Sequence, residues 1–395
     1  MDYGVPVLPL GFLGACVRGE GEAFYRSLDE SGRSRLERDA AEHGLQAWLY
    51  RYLYDVLPEE RRAEYRRVYQ YRQAQAVRGE HELRRVFDEL CGHGLRFAPV
   101  KAADLAYRVY PDPALRHGVD WDVWFHPDDC EKALDALAET GWRAPLRYTD
   151  SRDAVYKTSL HHYSPHKRDG STLEPHYFLA NFGDADPHDM WEYTLEVPDG
   201  RGRRVLSPEL NLMMLARHAA SNSYYHANLP KLLADAGMVM KHDPVDFGKL
   251  RALADRWRLP YPGDLLAAFP EFFTSDTIAS FGADPEATAR FRAIFQARGE
   301  LGEPDTTKLT WNRSRERGDT GDFLASRIFS RTPLLIRNIY HLPKHGAWGR
   351  VCLGYVKYFW SRSIRVFASL LGGDRRLKAY CRLVESVESG PSRSH

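Results

Sequence analysis

The chain has 395 residues, 43% of them hydrophobic and 28% charged, which is the composition of a globular protein with a substantial core. Its net charge of +1 excludes a strong overall attraction to nucleic acid or to an anionic membrane, and we expect no nucleic-acid partner. The five cysteines have no CxxC spacing, and we find neither a secretory signal pattern nor a run of about 18 apolar residues, so we expect a cytoplasmic protein with reduced thiols.

Residues 1–94 are predicted to form an N-terminal helical region. Apolar residues recur at helical spacing before Gly92 and Gly94, which are typical of a helix end. The stretch 45–57 predicts a buried helix that stops at Pro58.

The hydrophobic pattern of the sequence changes over residues 95–205, where short apolar runs alternate with helical patterns. This region predicts a small α/β core, in which the last two strands pair as antiparallel neighbours through the polar turn "PHKRDG". In chain order, the predicted elements are a strand at 95–100, a helix from Lys101, a strand at 119–125, a helix from Asp128 to Gly141, and strands at 154–164 and 171–180.

Two aspartates, Asp120 and Asp122, interrupt the apolar strand "VDWDVWF". Side chains alternate along a strand, so the two carboxylates share one face, about 7 Å apart, and repel each other if they are buried without a counter-charge. A Mg²⁺ ion removes this repulsion because it binds carboxylate oxygens, although salt-bridge partners at a strand edge are the alternative explanation.

The later strand "TLEPHYF" supplies a third carboxylate, Glu174, which shares its face with His176. Three carboxylates from neighbouring strands predict a two-metal cluster for phosphoryl transfer. A zinc site among the nearby histidines is less favoured, because His161 and His162 are adjacent and point to opposite faces of a strand.

These stretches resemble nucleotidyltransferases of the polymerase-beta type, and in particular an uncharacterised bacterial nucleotidyltransferase family that is associated with biosynthetic clusters. The resemblance covers roughly residues 35–260 and rests on "VKAADLAYRVYPDPALRHGVDWDVWF", "LEPH" and "LNLMMLARHAA". It implies that Asp120, Asp122 and Glu174 bind the metal and that a later helical block, which carries His218, packs over the core.

The resemblance also implies roles for basic residues. Lys101 and Arg116 would contact the nucleotide phosphates, and His176 would support the metal-binding carboxylates without contacting the nucleotide. The alternatives are an ordinary solvated lysine at 101, an ion pair of Arg116 with Asp120, and a structural role for His176. One departure from the family pattern is Ala102, which stands where the pattern has the glycine of Lys-Gly. The Cβ of an alanine restricts how closely a phosphate can approach the backbone at this position.

The remaining chain is predicted to form a helical domain at 206–300, beginning at the N-cap Ser207, and a basic, aromatic helical region with a disordered tail at 301–395. Between Phe323 and Gly373 the sequence has no acidic residue. The helix-like segment 346–371 therefore predicts either peripheral contact with an anionic membrane or packing against the rest of the protein.

Together these observations predict an α/β fold with a small mixed sheet of nucleotidyltransferase type between N- and C-terminal helical regions. The predicted function is transfer of an NMP from an NTP to a small-molecule or peptide acceptor, with Mg²⁺ or Mn²⁺ as cofactor and pyrophosphate as product. A non-catalytic nucleotide-binding protein and a membrane-peripheral partner in a biosynthetic pathway are the alternatives.

Overall fold

In the computed structural model, helices surround a small mixed sheet, as predicted. The structure describes residues 7–116, 118, 120–143, 165–179, 182, 185–198, 201–221, 229–301, 312–313, 316, 347–357, 360 and 375–388.

Five helices precede the sheet: α1 (Val7–Arg18), α2 (Gly21–Ser27), α3 (Glu30–Glu42), α4 (Gln46–Leu53) and α5 (Glu59–Gly92). The predicted stop at Pro58 separates α4 from α5. The predicted apolar stripe of α5 is buried at Leu83, Val86 and Leu90, and Gly94 beyond its end adopts a φ of +66°, which a residue with a Cβ rarely adopts.

The sheet has the strand order β1 (Phe97–Val100), β2 (Trp121–Phe125), β4 (Ser171–His176) and β3 (His166–Arg168). β2 is antiparallel to β1 and parallel to β4, and β3 is antiparallel to β4. Helix α6 (Ala102–Arg108) follows β1, and α7 (Cys130–Glu139) follows β2. A separate antiparallel pair consists of β5 (Thr194–Glu196) and β6 (Arg204–Leu206).

The hairpin that contains β4 differs from the predicted one. Residues 165–170 do not form a turn as a whole, because His166–Arg168 is itself strand β3. The chain reverses at Asp169 and Gly170, whose φ angles of +50° and +82° match the right-handed twist of a two-residue hairpin. The predicted strand at 154–164 lies outside the described residues.

The two faces of the sheet contact different helices. Val123, Phe125 and Leu173 join a hydrophobic cluster with α5 and α7, whereas Trp124 and Val100 belong to a larger cluster on the opposite face. The alternation predicted for β2 is therefore confirmed, and both faces of the sheet are covered.

Helices dominate the rest of the described chain. They are α8 (Pro187–Trp191), α9 (Pro208–Ser221), α10 (Leu229–His242), α11 (Phe247–Arg256), α12 (Pro262–Leu266), α13 (Ser275–Ser280), α14 (Pro285–Leu301) and α15 (Arg375–Glu388). The predicted N-cap of α9 is confirmed, because Ser207 Oγ accepts a hydrogen bond from the backbone N–H of Leu210 at 3.2 Å. The larger hydrophobic cluster contains side chains from α1, α4, α9, α10 and α15.

Residues 348–357, within the basic segment predicted at 346–371, are helical. Val351 is fully buried, whereas Trp348, Leu353 and Val356 are more than half exposed. Across the described parts of the chain, no helix combines the length and the hydrophobicity needed to cross a bilayer.

Candidate active site

Asp122 and Glu174 lie side by side on the two central strands. The parallel pairing of β2 with β4 aligns Asp122 with Glu174 and Trp124 with His176. Aligned residues project from the same face of a sheet. As a result, the ligand atoms of Asp122, Glu174 and His176 lie within 4.8 Å of one another.

The Asp122 carboxylate is the buried centre of this group and is only 3% exposed. Its Oδ1 atom accepts a hydrogen bond from Lys101 Nζ at 2.7 Å and lies 2.8 Å from His176 Nε2. Burial alone would raise the pKa of Asp122, but the Lys101 ammonium and His176 outweigh burial and hold the pKa of this carboxyl well below its ordinary value. Asp122 is therefore ionised at neutral pH.

Lys101 connects β1 to α6 through an unusual backbone conformation, with φ 51° and ψ −127°. Such a conformation costs a residue with a Cβ about 1–3 kcal/mol, and strain of this kind is concentrated at functional sites. Here it coincides with the contact between Lys101 and Asp122. A freely solvated lysine at this position, which was one alternative, is wrong, because the ammonium is in an ion pair with a buried carboxylate.

Ala102, which departs from the expected Lys-Gly pattern, packs closely against Gly118. The Ala102 side chain is buried, and a Cβ added to Gly118 would lie only 2.6 Å from the Ala102 Cβ. The Ala102 methyl group therefore occupies space that a glycine at position 118 leaves open.

Asp120 immediately precedes β2, which begins at Trp121 and not at residue 119 as predicted. Burial and the Asp122 carboxylate raise the pKa of Asp120, against the opposing effects of Lys101 and Arg116. Asp120 thus belongs to the same electrostatic environment as Asp122, but it is not one of the three described residues whose ligand atoms converge.

Arg116 has a carboxylate partner that its sequence neighbourhood does not indicate. Its Nε donates to Asp235 Oδ1 at 2.6 Å, and the Tyr110 hydroxyl donates to the same oxygen at 2.8 Å. The alternative ion pair with Asp120 is therefore not the one that forms. Because Asp235 lies on α10, this contact ties the segment before β2 to the helices that follow the sheet.

A second histidine, His218 on α9, also faces this group. Burial, followed by the Lys101 ammonium, lowers the pKa of His218 to about 4, with further contributions from Asp122, Arg116 and His176. His218 is therefore neutral near pH 7. The sequence pattern around "LARHAA" indicated a helix that packs over the core, but it gave no signal for proximity to Asp122.

The donor set of Asp122, Glu174 and His176 fits a divalent cation. Two carboxylates and an imidazole suit Mn²⁺ better than Mg²⁺, which prefers oxygen ligands alone. One contact competes with a cation, because the Lys101 ammonium already occupies a position beside Asp122 Oδ1.

A second convergence of ligand atoms, formed by His126, Asp128 and His188, is less suited to a metal. The guanidinium of Arg96 places Nη1 3.2 Å from His126 Nε2 and donates from Nη2 to Asp128 Oδ2 at 3.4 Å. Since this positive charge already engages two of the three side chains, we assign no metal to this group.

A cavity of about 330 Å³ opens at the edge of the sheet where β2 and β4 begin, next to α5. Gly118 and Trp121, on either side of Asp120 in the chain, both line it, whereas Asp120, Asp122 and Glu174 do not. Its other lining residues are Arg72, Gln75, Ala76, Arg78, Gly79, Ala102, Ala106, Tyr107, Pro113, Arg116, Gly170, Ser171 and Thr172.

The fold and the site together define an α/β protein with adjacent carboxylates and a cation on one face of a mixed sheet. A family model described as an uncharacterised nucleotidyltransferase matches residues 29–267, which include all six predicted site residues. The chain belongs to this nucleotidyltransferase family and is an enzyme of the transferase class. Searches of the curated proteins and of the solved structures found no match.

Proposed function

We propose that this enzyme is a metal-dependent nucleotidyltransferase of the polymerase-beta type. It moves a nucleoside monophosphate from a nucleoside triphosphate to a small-molecule or peptide acceptor and releases pyrophosphate. Asp120, Asp122 and Glu174 would hold Mg²⁺ or Mn²⁺, with His176 beside them as a further donor.

The observation that supports this proposal most strongly is the alignment of Asp122 with Glu174 across two parallel strands. Asp122 is ionised, and Glu174 is partly accessible, with a side chain 19% exposed. Carboxylates brought together in this way attract a divalent cation, which when bound would neutralise charge on the phosphates.

The chemical step exchanges one phosphorus–oxygen bond for another. An oxygen of the acceptor forms a bond to the α-phosphorus, and the bond from the α-phosphorus to the oxygen that bridges to the β-phosphate breaks. Pyrophosphate leaves with that electron pair, and the acceptor proton passes to Glu174. A carboxylate positioned as a general base contributes roughly 10²–10⁴-fold to such a rate.

The remaining residues bind the phosphates or position the carboxylates. Lys101 supplies a positive charge for the phosphates next to Asp122, and His176 orients the Asp122 carboxylate through the contact at 2.8 Å. Arg116 borders the large cavity, where its guanidinium faces a ligand while Asp235 holds its Nε.

The proposal is tested by transfer of label from each of the four NTPs, labelled at the α-phosphate, to small-molecule and peptide fractions of a cell extract. Transfer is expected with Mn²⁺ or Mg²⁺ and is expected to stop with a chelator. Asp122→Asn and Glu174→Gln should each lower the rate at least 10²-fold.

The matched control is Asp88→Asn on α5, because this carboxylate is exposed and pairs only with Arg201 among the described residues. It should leave the rate unchanged. If both site variants transferred label as fast as the unaltered enzyme, the assignment of the carboxylates would be wrong.

A further inference from the structure

Three cationic side chains from separate parts of the chain meet outside the carboxylate group. A second cavity, of about 110 Å³, adjoins the larger one, and Arg72 and Arg116 line both of them. Lys231, from the first turn of α10, lines the smaller cavity. The two cavities therefore share a wall of two arginines.

The positive charge at this wall exceeds the negative charge that the described residues supply. Asp235 pairs with Arg116. Burial lowers the pKa of Arg72, and no carboxylate of the described chain offsets that effect. Lys231 is an exposed residue whose partial burial, followed by Arg116, lowers its pKa, and Asp235 and Asp120 oppose this only in part. Cations held close together in this way favour an anion between them.

A glycine lies next to Arg72 in the wall of the smaller cavity. Gly44, two residues after the end of α3, has a φ of +69°, and a Cβ at this position would be in ordinary van der Waals contact with Arg72 Nη2, at 3.4 Å. Trp48 and Leu115 line the cavity with apolar surface and offer no competing negative charge. The space beside Arg72 is therefore available to a small group.

We propose that Arg72, Arg116 and Lys231 bind a terminal phosphate group of a ligand whose remaining part occupies the larger cavity. This inference rests on the proposed function, and it assigns phosphate recognition to α5 and α10, outside the sheet.

Size and charge support a phosphate at this position. The smaller cavity is too small for a nucleoside, whereas the larger one reaches the lower limit of sites for small molecules, about 300 Å³. Two guanidinium groups and an ammonium match the charge of a dianion with several acceptor oxygens, and the planar guanidinium of Arg72 can donate two parallel hydrogen bonds to it. The phosphate comes either from the triphosphate of the NTP or from a phosphorylated acceptor.

The test measures binding of inorganic tripolyphosphate and of inorganic phosphate to the full chain without divalent metal, by titration calorimetry. Arg72→Gln and Lys231→Gln should each weaken tripolyphosphate binding at least tenfold. The matched controls are Arg67→Gln on α5 and Lys132→Gln on α7, both exposed, which should change binding less than twofold.

Two further measurements separate the sources of the phosphate. If the NTP supplies it, tripolyphosphate competes with NTP, and the Arg72 and Lys231 variants raise the KM for NTP. If a phosphorylated acceptor supplies it, NTP binding is unchanged in these variants, and inorganic phosphate competes with the acceptor. Either result supports the site.

The tripolyphosphate titration uses no NTP, acceptor or divalent metal, so that failure of the catalytic proposal is distinguishable from failure of this one. Acetylation of Lys231, followed by mass spectrometry, tests the site without any substitution, because bound tripolyphosphate should slow the modification at least fivefold. The site does not exist if the unaltered chain binds neither anion, or if the two variants and the two controls behave alike.

Discussion

Asp120 and Asp122 are two residues apart, and their carboxyl groups are in opposite electrostatic situations. The pKa of Asp122 is lowered in the folded protein, so its ionisation stabilises the fold fully above its unfolded pKa of about 3.9, and this stabilisation is lost as the pH falls from that value through the lower folded pKa. The pKa of Asp120 is raised, so its ionisation opposes folding, and stability is lost as the pH rises through its folded pKa.

Substitution by asparagine should therefore have opposite effects at the two positions. At pH 7 without metal, Asp122→Asn should lower the free energy of unfolding by about 3–5 kcal/mol, because Lys101 then lacks its buried partner. Asp120→Asn should raise it by roughly 0.5–1 kcal/mol, because it removes repulsion at a functional site. Both substitutions should lower the rate of nucleotidyl transfer.

Urea unfolding at pH 7 and at pH 4 measures both effects. The difference between Asp120→Asn and the unaltered protein should shrink at pH 4, where Asp120 is more protonated. Stability changes of the same sign for the two variants at pH 7 would contradict the electrostatic description.

At the scale of elements, the contact between α6 and the segment before β2 determines how the site is assembled. Ala102 begins α6, and Gly118 lies in the link to β2, with room for only one Cβ between them. A glycine at position 102 and the glycine at position 118 are thus alternative ways to bring the same two segments together.

This contact predicts a compensating pair of substitutions. Gly118→Ala alone should destabilise the protein by about 1–3 kcal/mol, because its Cβ would overlap the Ala102 methyl group. Adding Ala102→Gly should recover most of that loss, which a double-mutant cycle measured by thermal or urea unfolding would detect as coupling. Additive effects of the two substitutions would show that the two residues do not share this space.

The same elements show what the sequence can and cannot predict. The face shared by Asp122 and Trp124 follows from strand alternation, and the pairing of Glu174 with His176 on one face follows from the same period. Strand order and partners distant in sequence do not follow from local patterns. The contact between Arg116 and Asp235 spans 119 residues, and nothing near either residue indicates the other.

At the scale of the whole molecule, the hydrophobic core extends beyond the range that matches the family. Helix α15 lies more than 100 residues after that range ends, yet Leu377, Tyr380 and Val384 are almost fully buried. Its last residue, Glu388, accepts a hydrogen bond from Arg217 Nη1 of α9 at 2.8 Å. The C-terminal helix is therefore part of the structure that supports the site.

Removal of residues 375–395 should prevent stable folding. Burial of three large apolar side chains contributes roughly 5–9 kcal/mol, which is comparable with the total stability of a domain. The matched control is a chain that ends at residue 388, which should melt like the full chain in a thermal scan. A folded, active protein without α15 would contradict this prediction.

The composition of the basic segment at 346–371 predicted contact with a membrane or with the protein. Within it, Val351 is buried and Trp348 is exposed, so the described part presents one packed side and one accessible side. Contact with an anionic membrane stays a prediction, because local composition does not identify what meets an exposed side chain.

The ion pair between Lys101 and Asp122 has a consequence for how the enzyme responds to metal supply. Because the chain carries its own counter-charge for its most buried site carboxylate, we expect the fold not to require a bound ion. On the proposed mechanism, depletion of magnesium or manganese should therefore stop transfer without unfolding the chain, and replenishment should restore activity without a refolding delay.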